Sequence, residues 1–271
     1  MKRAGIWAAA VAVLLGTVAC TSSADGSGDG TGDGTRTRAA AARPLAALRS
    51  AERATREAHS ARVESSTVMG KLMSLTAEGA VSWAGGLTGT LVLTYTGGSV
   101  AETMRAAGTP ATEARYLPDA YYARLGAALA EQAGGRHWVR YGYDDLERLA
   151  GGTGAYIQDQ LRHTAPSRPV ELLLASGDVR EVGRETVRGR RTTHYSGSVD
   201  SDASNVTTER VDVWVDERNL LVKKVEKGVT ADGAYSQTAY YGEYGTEVAA
   251  RRPAAADTAD FSELVRELSG S

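Results

Sequence analysis

The chain has 271 residues and a formal net charge of −2 at pH 7, with 31 basic and 33 acidic side chains. This balance excludes the basic excess that nucleic-acid-binding proteins usually carry, so no nucleic-acid partner is expected. The chain contains one cysteine, which excludes an internal disulfide, so a hydrophobic core must stabilise the folded part.

The first residues have the order of an export signal. Lys2 and Arg3 precede an apolar run over residues 6–19, which is shorter than the about 20 residues that span a bilayer as a helix. Cys20 follows Thr17-Val18-Ala19, and this tetrapeptide resembles the lipobox of bacterial lipoproteins, although Thr17 stands where an aliphatic residue is usual. We therefore predict a lipoprotein signal peptide over residues 1–19 and lipidation of Cys20. Cleavage by ordinary signal peptidase after Ala19, or an uncleaved anchor, remain open alternatives.

Residues 20–36 are predicted to be a flexible linker, because Gly, Ser, Thr and Asp dominate them and supply no core. A coil of this length lets a domain move roughly 20 Å from its anchor. Acyl chains on Cys20 would hold the protein in the cell membrane, on its extracytoplasmic face. Residues 37–271 are predicted to form one domain.

The first half of this domain is predicted to be a helix followed by strands. Pro44 suits a first helical position and begins a helix over residues 44–59. Apolar and polar residues then alternate over residues 73–83 and 87–96, joined by a turn at 84–86, which is typical of antiparallel strands with one buried face. Further strands are predicted over residues 63–69, 100–106, 113–117 and 121–124.

The second half is predicted to be a helical middle followed by strands. The helices cover residues 127–132, 145–150, 156–162 and 169–175, with a short extended piece at 138–141. Strands follow over residues 178–187, 191–199, 207–216, 220–230 and 235–244, and an amphipathic helix over 261–268. This segregation predicts an α+β fold: one large curved antiparallel sheet, a half-barrel, with helices packed on its concave face. Gly79 and Gly89 lie on apolar strand faces, where they allow curvature or close approach.

Two stretches of this arrangement resemble a known family. VELLLASGDVREVGRETVRGRRTTHYSGSVD, residues 170–200, and VDVWVDERNLLVKKVE, residues 211–226, are similar to the helix, hairpins and strands of LppX/LprG-type lipoproteins of actinobacteria. These share the fold of the carriers LolA and LolB, and the likeness covers roughly residues 40–250. The resemblance implies binding of acyl chains in an apolar cavity between sheet and helices, and passage of lipids or lipid-linked glycans through the cell envelope. We therefore predict a protein that binds a lipid or other long apolar ligand, with the helical middle, residues 127–175, as the lid of the cavity.

The predicted lining of that cavity combines apolar strand residues with leucines of a helix. They are Met73, Leu75, Val81, Leu87, Leu91, Leu93, Leu172 and Leu173. Interiors normally close-pack, so whether this core is hollow or filled decides the function. A filled core would favour the alternative, a non-catalytic sensor or interaction lipoprotein that regulates a membrane-protein partner. We expect that alternative to show an exposed surface around Tyr235, Tyr240, Tyr241 and Tyr244.

No residue pattern supports catalysis. HExxH, CxxC, GxxxxGK[ST] and GxSxG motifs are missing from the sequence, and the four histidines are scattered. His194 is interpreted as a structural histidine on a strand, and Asp144-Asp145 as the acidic start of a helix. Arg188, Arg190 and Arg191 are interpreted as a solvated hairpin tip or a contact with anionic lipid headgroups. We expect no enzyme, no metal and no cofactor.

Overall fold

The computed structural model describes residues 33–143, 166–199, 207–230 and 232–264. Its helices are α1 (Asp33–Glu57), α2 (Gly98–Ala106), α3 (Ala127–Gln132) and α4 (Arg168–Ser176). Its strands are β1 (Ser60–Met69), β2 (Met73–Ser82), β3 (Thr88–Gly97), β4 (Ala111–Leu117), β5 (Ala120–Arg124), β6 (Trp138–Gly142), β7 (Arg180–Val187), β8 (Arg190–Gly197), β9 (Thr207–Asp216), β10 (Leu221–Thr230), β11 (Gly233–Gly242) and β12 (Thr258–Asp260). A short 3₁₀ helix (Ala255–Asp257) precedes β12.

The twelve described strands form one open sheet in the order β12-β6-β5-β4-β3-β2-β1-β11-β10-β9-β8-β7. Two meanders, β1–β6 and β7–β11, are joined by the antiparallel pair β1 and β11 at the centre of the sheet. All neighbouring strands are antiparallel except β12, which pairs with β6 in parallel at one edge. The predicted large antiparallel α+β sheet is thus confirmed.

One face of the sheet, which we call the core face, carries the main hydrophobic cluster. Val63 on β1, Leu75 on β2 and Val213 on β9 belong to it. The helices add Leu48 from α1 and Leu173 from α4, both fully buried. Burying such a leucine contributes about 1.5–3 kcal/mol relative to leaving it exposed, so α1 and α4 are fixed on the core face by apolar packing.

Helix α1 is longer than predicted. It begins at Asp33, within the predicted linker, and contains Pro44 in its interior rather than at its first turn. Proline removes one backbone hydrogen bond from a helix interior. The alanines and arginines of residues 38–43 are strong helix formers, which favours continuing the helix before Pro44.

Two elements correct the predictions. Residues 100–106, predicted as a strand, belong to helix α2. A helix places Val100, Ala101 and Met104 on one side, whereas a strand would put Ala101 and Met104 on opposite faces; Ala101 is fully buried. Strand β12 was not predicted, because three residues are too few to give a periodic signal.

The two glycines singled out in the sequence do allow close approach between strands. A Cβ on Gly79 would overlap the carbonyl oxygen of Thr90, and one on Gly89 would lie 2.5 Å from the carbonyl oxygen of Ala80. The predicted signal peptide, Cys20, the helices at 145–150 and 156–162, and part of the helix at 261–268 lie outside the described residues.

Candidate functional site

A small cavity of about 30 Å³ lies on the core face at the centre of the sheet. Its lining residues all come from strands β1, β2, β3, β4 and β11, and no lining side chain comes from the described parts of the helices. Its apolar lining is Val63, Leu75, Ala77, Leu91, Leu93, Tyr116, Ala239 and Tyr241. The small side chains of Ala77 and Ala239 leave the space that the larger neighbours do not fill.

The predicted lining residues all lie in or against the core that surrounds this cavity. Leu75, Leu91 and Leu93 line the cavity itself. Met73, Val81 and Leu173 are buried in the same cluster, and Leu87 and Leu172 are partly buried and pack against it. The structure therefore brings the eight residues together on one face, with three of them at the cavity.

The other wall of the cavity is polar, which the sequence analysis missed. Ser65, Thr67 and Gln237 line it from β1 and β11. Thr67 and Gln237 are register partners, and Gln237 Nε2 donates a hydrogen bond to Thr67 Oγ1 at 3.2 Å. Gln237 is only 8% exposed, and its Oε1 has no hydrogen-bond partner among the described residues. The alternation of β1 could have revealed this wall, because Ser65 and Thr67 share a face with Val63.

A buried ion pair extends this polar region onto β10. Lys224 and Glu226 are both fully buried, and Lys224 Nζ lies 3.1 Å from Glu226 Oε1. Glu226 pairs in register with Gln237, so the ion pair is on the core face beside the cavity. Burial, with the nearby negative charge of Glu226, raises the pKa of Tyr241 well above its usual value. The region thus keeps a charged pair inside the protein at a desolvation cost.

Aromatic rings continue the core face toward the β12 edge. The centroids of Tyr116 and Tyr121 are 5.3 Å apart, those of Tyr121 and Tyr141 5.5 Å, and those of Tyr141 and Phe261 4.7 Å. Burial raises the pKa of Tyr141 to about 12, so this phenol remains neutral at physiological pH. The row offers apolar ring surface and no charge.

The opposite side of the sheet, which we call the outer face, carries a compact polar cluster on β8–β11. His194 stacks on Trp214 with centroids 4.1 Å apart, and His194 Nε2 donates to Asp212 Oδ1 at 2.8 Å. Burial raises the pKa of Asp212, but hydrogen bonds from Arg210 and His194 outweigh it and hold the pKa below its usual value. Lys223 lies over the ring of Trp214. These contacts support the structural interpretation of His194.

The tyrosines proposed for an exposed surface are split between the two faces. Tyr235 and Tyr241 are buried on the core face. Tyr240 lies on the outer face beneath the Arg188 guanidinium, 3.9 Å from its ring centroid. Tyr244 donates a 2.6 Å hydrogen bond to the Leu221 carbonyl. The period of two explains this outcome, since Tyr240 and Tyr241 are adjacent on one chain segment and point in opposite directions.

The arginines of the β7–β8 hairpin each contact a carboxylate. Arg188 pairs with Glu64 at 2.7 Å, Arg190 with Asp216 at 3.5 Å and Arg191 with Glu217 at 2.8 Å. Each positive charge is thus balanced within the protein, which favours the solvated tip over a headgroup contact.

A second, larger groove of about 470 Å³ lies where α2 ends, at β4 and the start of α3. Its lining mixes Glu113, Arg124 and His137 with the apolar residues Val92, Leu125 and Ala127. Within the described ranges, no group of three or more His, Cys, Asp or Glu residues is placed to hold a metal ion. None of the described helices combines the length and apolar character needed to cross a membrane.

Comparison with known proteins gives the family. No family model matches the chain. Over 219 residues the chain is 62% identical to a Streptomyces coelicolor protein named "Putative lipoprotein SCO4650", covering 81% of this chain and 75% of the relative. It is 44% identical over 249 residues to a 31.2 kDa protein from the rplA-rplJ intergenic region of Streptomyces griseus, covering 83% and 82% of the two chains.

A solved structure gives the fold. The chain is similar to lipoprotein LppX of Mycobacterium tuberculosis with a TM-score of 0.51 and 17% identity, covering 78% of this chain and 99% of LppX. The fold expected from the sequence resemblance is therefore confirmed. The chain belongs to the family of the Streptomyces coelicolor lipoprotein, and it has the fold of the actinobacterial lipoprotein LppX.

Proposed function

We propose that this protein is a membrane-anchored, extracytoplasmic lipoprotein that binds the acyl chain of a lipid on the core face of its sheet. The observation that carries this proposal is the cavity lined by Leu75, Leu91 and Leu93 within the main hydrophobic cluster. Removing acyl surface from water supplies roughly 25 cal/mol per Å² for binding, and the protein needs no catalytic group for it.

The size of the cavity sets a condition on this function. At about 30 Å³ it is far smaller than the roughly 300–1,000 Å³ of typical ligand pockets. Loading an acyl chain therefore requires the core to open and to exchange packing contacts for contacts with the lipid. The small side chains of Ala77 and Ala239 make the cavity the place where such opening begins.

Native mass spectrometry with lipid extraction tests the proposal on the full chain produced in a Streptomyces host. We expect a stoichiometric lipid in addition to any lipid attached to the N-terminus. The variant Ala77→Leu places a larger side chain in the cavity, and we expect it to lose the non-covalent lipid. Its matched control is Thr76→Leu, on the outer face of the same strand, which should keep it. A protein that stays free of lipid after incubation with envelope lipids would contradict the proposal.

The anchor is proposed to be the acyl-carrying Cys20, followed by a linker that keeps the domain close to the membrane. We expect the full chain to fractionate with membranes and the variant Cys20→Ser to lose its incorporated palmitate label. A Cys20→Ser protein that still takes up the label would contradict this assignment.

The small cavity favours one second candidate, a filled core in a lipoprotein that regulates a membrane-protein partner. It differs from the first in its prediction for the core, because a filled core binds no lipid. Cross-linking on intact cells that returns the same membrane protein from a lipid-free population would support it.

A further inference from the structure

The polar wall of the cavity contains one feature that acyl-chain binding does not use. Gln237 is buried to more than nine-tenths, and its Oε1 has no hydrogen-bond partner in the described part of the chain. Its Nε2 is already engaged by Thr67 Oγ1 at 3.2 Å. Buried polar groups in native proteins are nearly always paired, so the Gln237 oxygen, in a residue that lines a cavity, is a candidate site for a group that completes its hydrogen bonding.

The sheet register places Gln237 between two polar neighbours, and its hydrogen bond to Thr67 holds the amide group. Gln237 pairs in register with Thr67 on β1 and with Glu226 on β10. Glu226 is fully buried and lies 3.1 Å from Lys224 Nζ. The amide thus lies between polar neighbours along the sheet and the leucines of β2 and β3 across the cavity.

The chemistry of the amide selects the ligand group. Oxygen and nitrogen of a glutamine amide exchange places on rotation, so the free atom is an acceptor in one orientation and a donor in the other. A hydroxyl group both donates and accepts, and therefore satisfies the amide in either orientation. A cavity of about 30 Å³ also matches a group of this size. A carboxylate is less suitable, because it only accepts and would meet the buried charge of Glu226 on the neighbouring strand.

We propose that Gln237 binds a hydroxyl group of the lipid, while the adjoining apolar chain packs on Leu75, Leu91 and Leu93. This inference rests on the proposed lipid-binding function and specifies its ligand class: an amphiphile with a hydroxyl group next to a long apolar chain. The hydroxyl group is carried either on the acyl chain or on a glycerol headgroup, and the two sources share the chemistry that Gln237 recognises.

Binding measurements on the delipidated full chain test the proposal with three probes below their micellar concentrations: stearate, 12-hydroxystearate and monostearoylglycerol. We expect at least one hydroxyl-bearing probe to bind roughly 5- to 100-fold more tightly than stearate, because it completes the buried amide. Preference for 12-hydroxystearate assigns the hydroxyl group to the chain, and preference for monostearoylglycerol assigns it to the headgroup.

The matched variants are Gln237→Met, which removes the amide and keeps the shape, and Thr238→Val, on the outer face of the same strand. We expect Gln237→Met to bind the three probes with equal affinity and Thr238→Val to keep the wild-type preference. If Gln237→Met does not fold, the relative affinities of the wild-type protein for the three probes decide whether the hydroxyl site exists.

The possible failures are distinct. If no probe binds the wild type, the lipid-binding function itself is wrong, and this inference falls with it. If the wild type binds all three probes with equal affinity, lipid binding stands and only the hydroxyl site is overturned, as expected if Gln237 holds a water molecule.

Discussion

The two faces of strands β8–β11 both bury polar groups but surround them with different partners. On the outer face, His194, Asp212 and Trp214 form a closed set of contacts, with His194 stacked on Trp214 and bonded to Asp212. On the core face, Gln237 lines a cavity, and its buried Oε1 has no hydrogen-bond partner among the residues that the structure describes. The residues alternate along the same strands, so the difference arises from what each face meets.

The difference between the two faces indicates which side of the sheet binds a ligand. The outer-face cluster is also largely buried, with Asp212 6% exposed, but the Asp212 carboxylate accepts hydrogen bonds from both Arg210 and His194 and needs no further partner. The core face must remove Lys224 and Glu226 from water completely, and apolar residues of similar volume would often be as stable there. The buried polar residues of the core face lie beside a cavity. They are therefore better candidates for ligand recognition than the polar cluster of the outer face.

The largest effect is expected from breaking the core-face ion pair. Lys224→Met should lower the free energy of unfolding by about 3–5 kcal/mol, because it removes the ammonium group that lies 3.1 Å from the buried carboxylate of Glu226. Lys224→Met/Glu226→Leu should recover most of that loss. Lys227→Met, at an exposed position of the same strand, is the control. Urea denaturation measures all four proteins. If Lys224→Met is as stable as the wild type, the buried Glu226 does not depend on Lys224 for its stability, and the prediction is wrong.

A smaller effect is expected from the outer-face carboxylate. Asp212→Asn should cost about 1.5–3 kcal/mol at pH 7, since two charge-assisted hydrogen bonds from Arg210 and His194 are weakened. The folded state lowers the pKa of Asp212 below 3.8, so its contribution is present above about pH 4 and lost as the pH falls through the folded pKa.

Thermal unfolding of the wild type and Asp212→Asn from pH 7 to pH 2 measures this dependence. The two unfolding temperatures should differ most at neutral pH and converge in acid. Asp232→Asn, in an exposed turn, should follow the wild type throughout. A difference that stays constant down to pH 2 would mean that the charge of Asp212 contributes nothing.

The smallest effect is expected at the hairpin tip. Arg188→Gln removes an exposed ion pair with Glu64 and a contact with the ring of Tyr240. Each is worth no more than about 1 kcal/mol at a solvent-exposed position. The loss should shrink further in 1 M salt, where the Debye length is about 3 Å. If Arg188→Gln lowers the free energy of unfolding as much as Lys224→Met does, the expected larger contribution of the core-face ion pair is wrong.

The sequence by itself determined the large elements of this protein. The alternation in β2 and β3 fixed two strands and the face each buries, and helix α3 has the predicted bounds. These features follow from local periodicity and turn residues, and both signals depend only on residues that are close together in the sequence. Residues 100–106 were misassigned because a seven-residue segment fits both periods until its packing partner is known.

Only the tertiary structure decided the candidate site. Thr67 and Gln237 are 170 residues apart in the chain and meet because β1 pairs with β11 at the centre of the sheet. The burial of Lys224 and Glu226 follows from the same arrangement, since alternation predicts which residues share a face but not which face is covered. Strand order and register are long-range properties, and they place a polar wall opposite Leu75, Leu91 and Leu93 where local patterns indicate only a hydrophobic core.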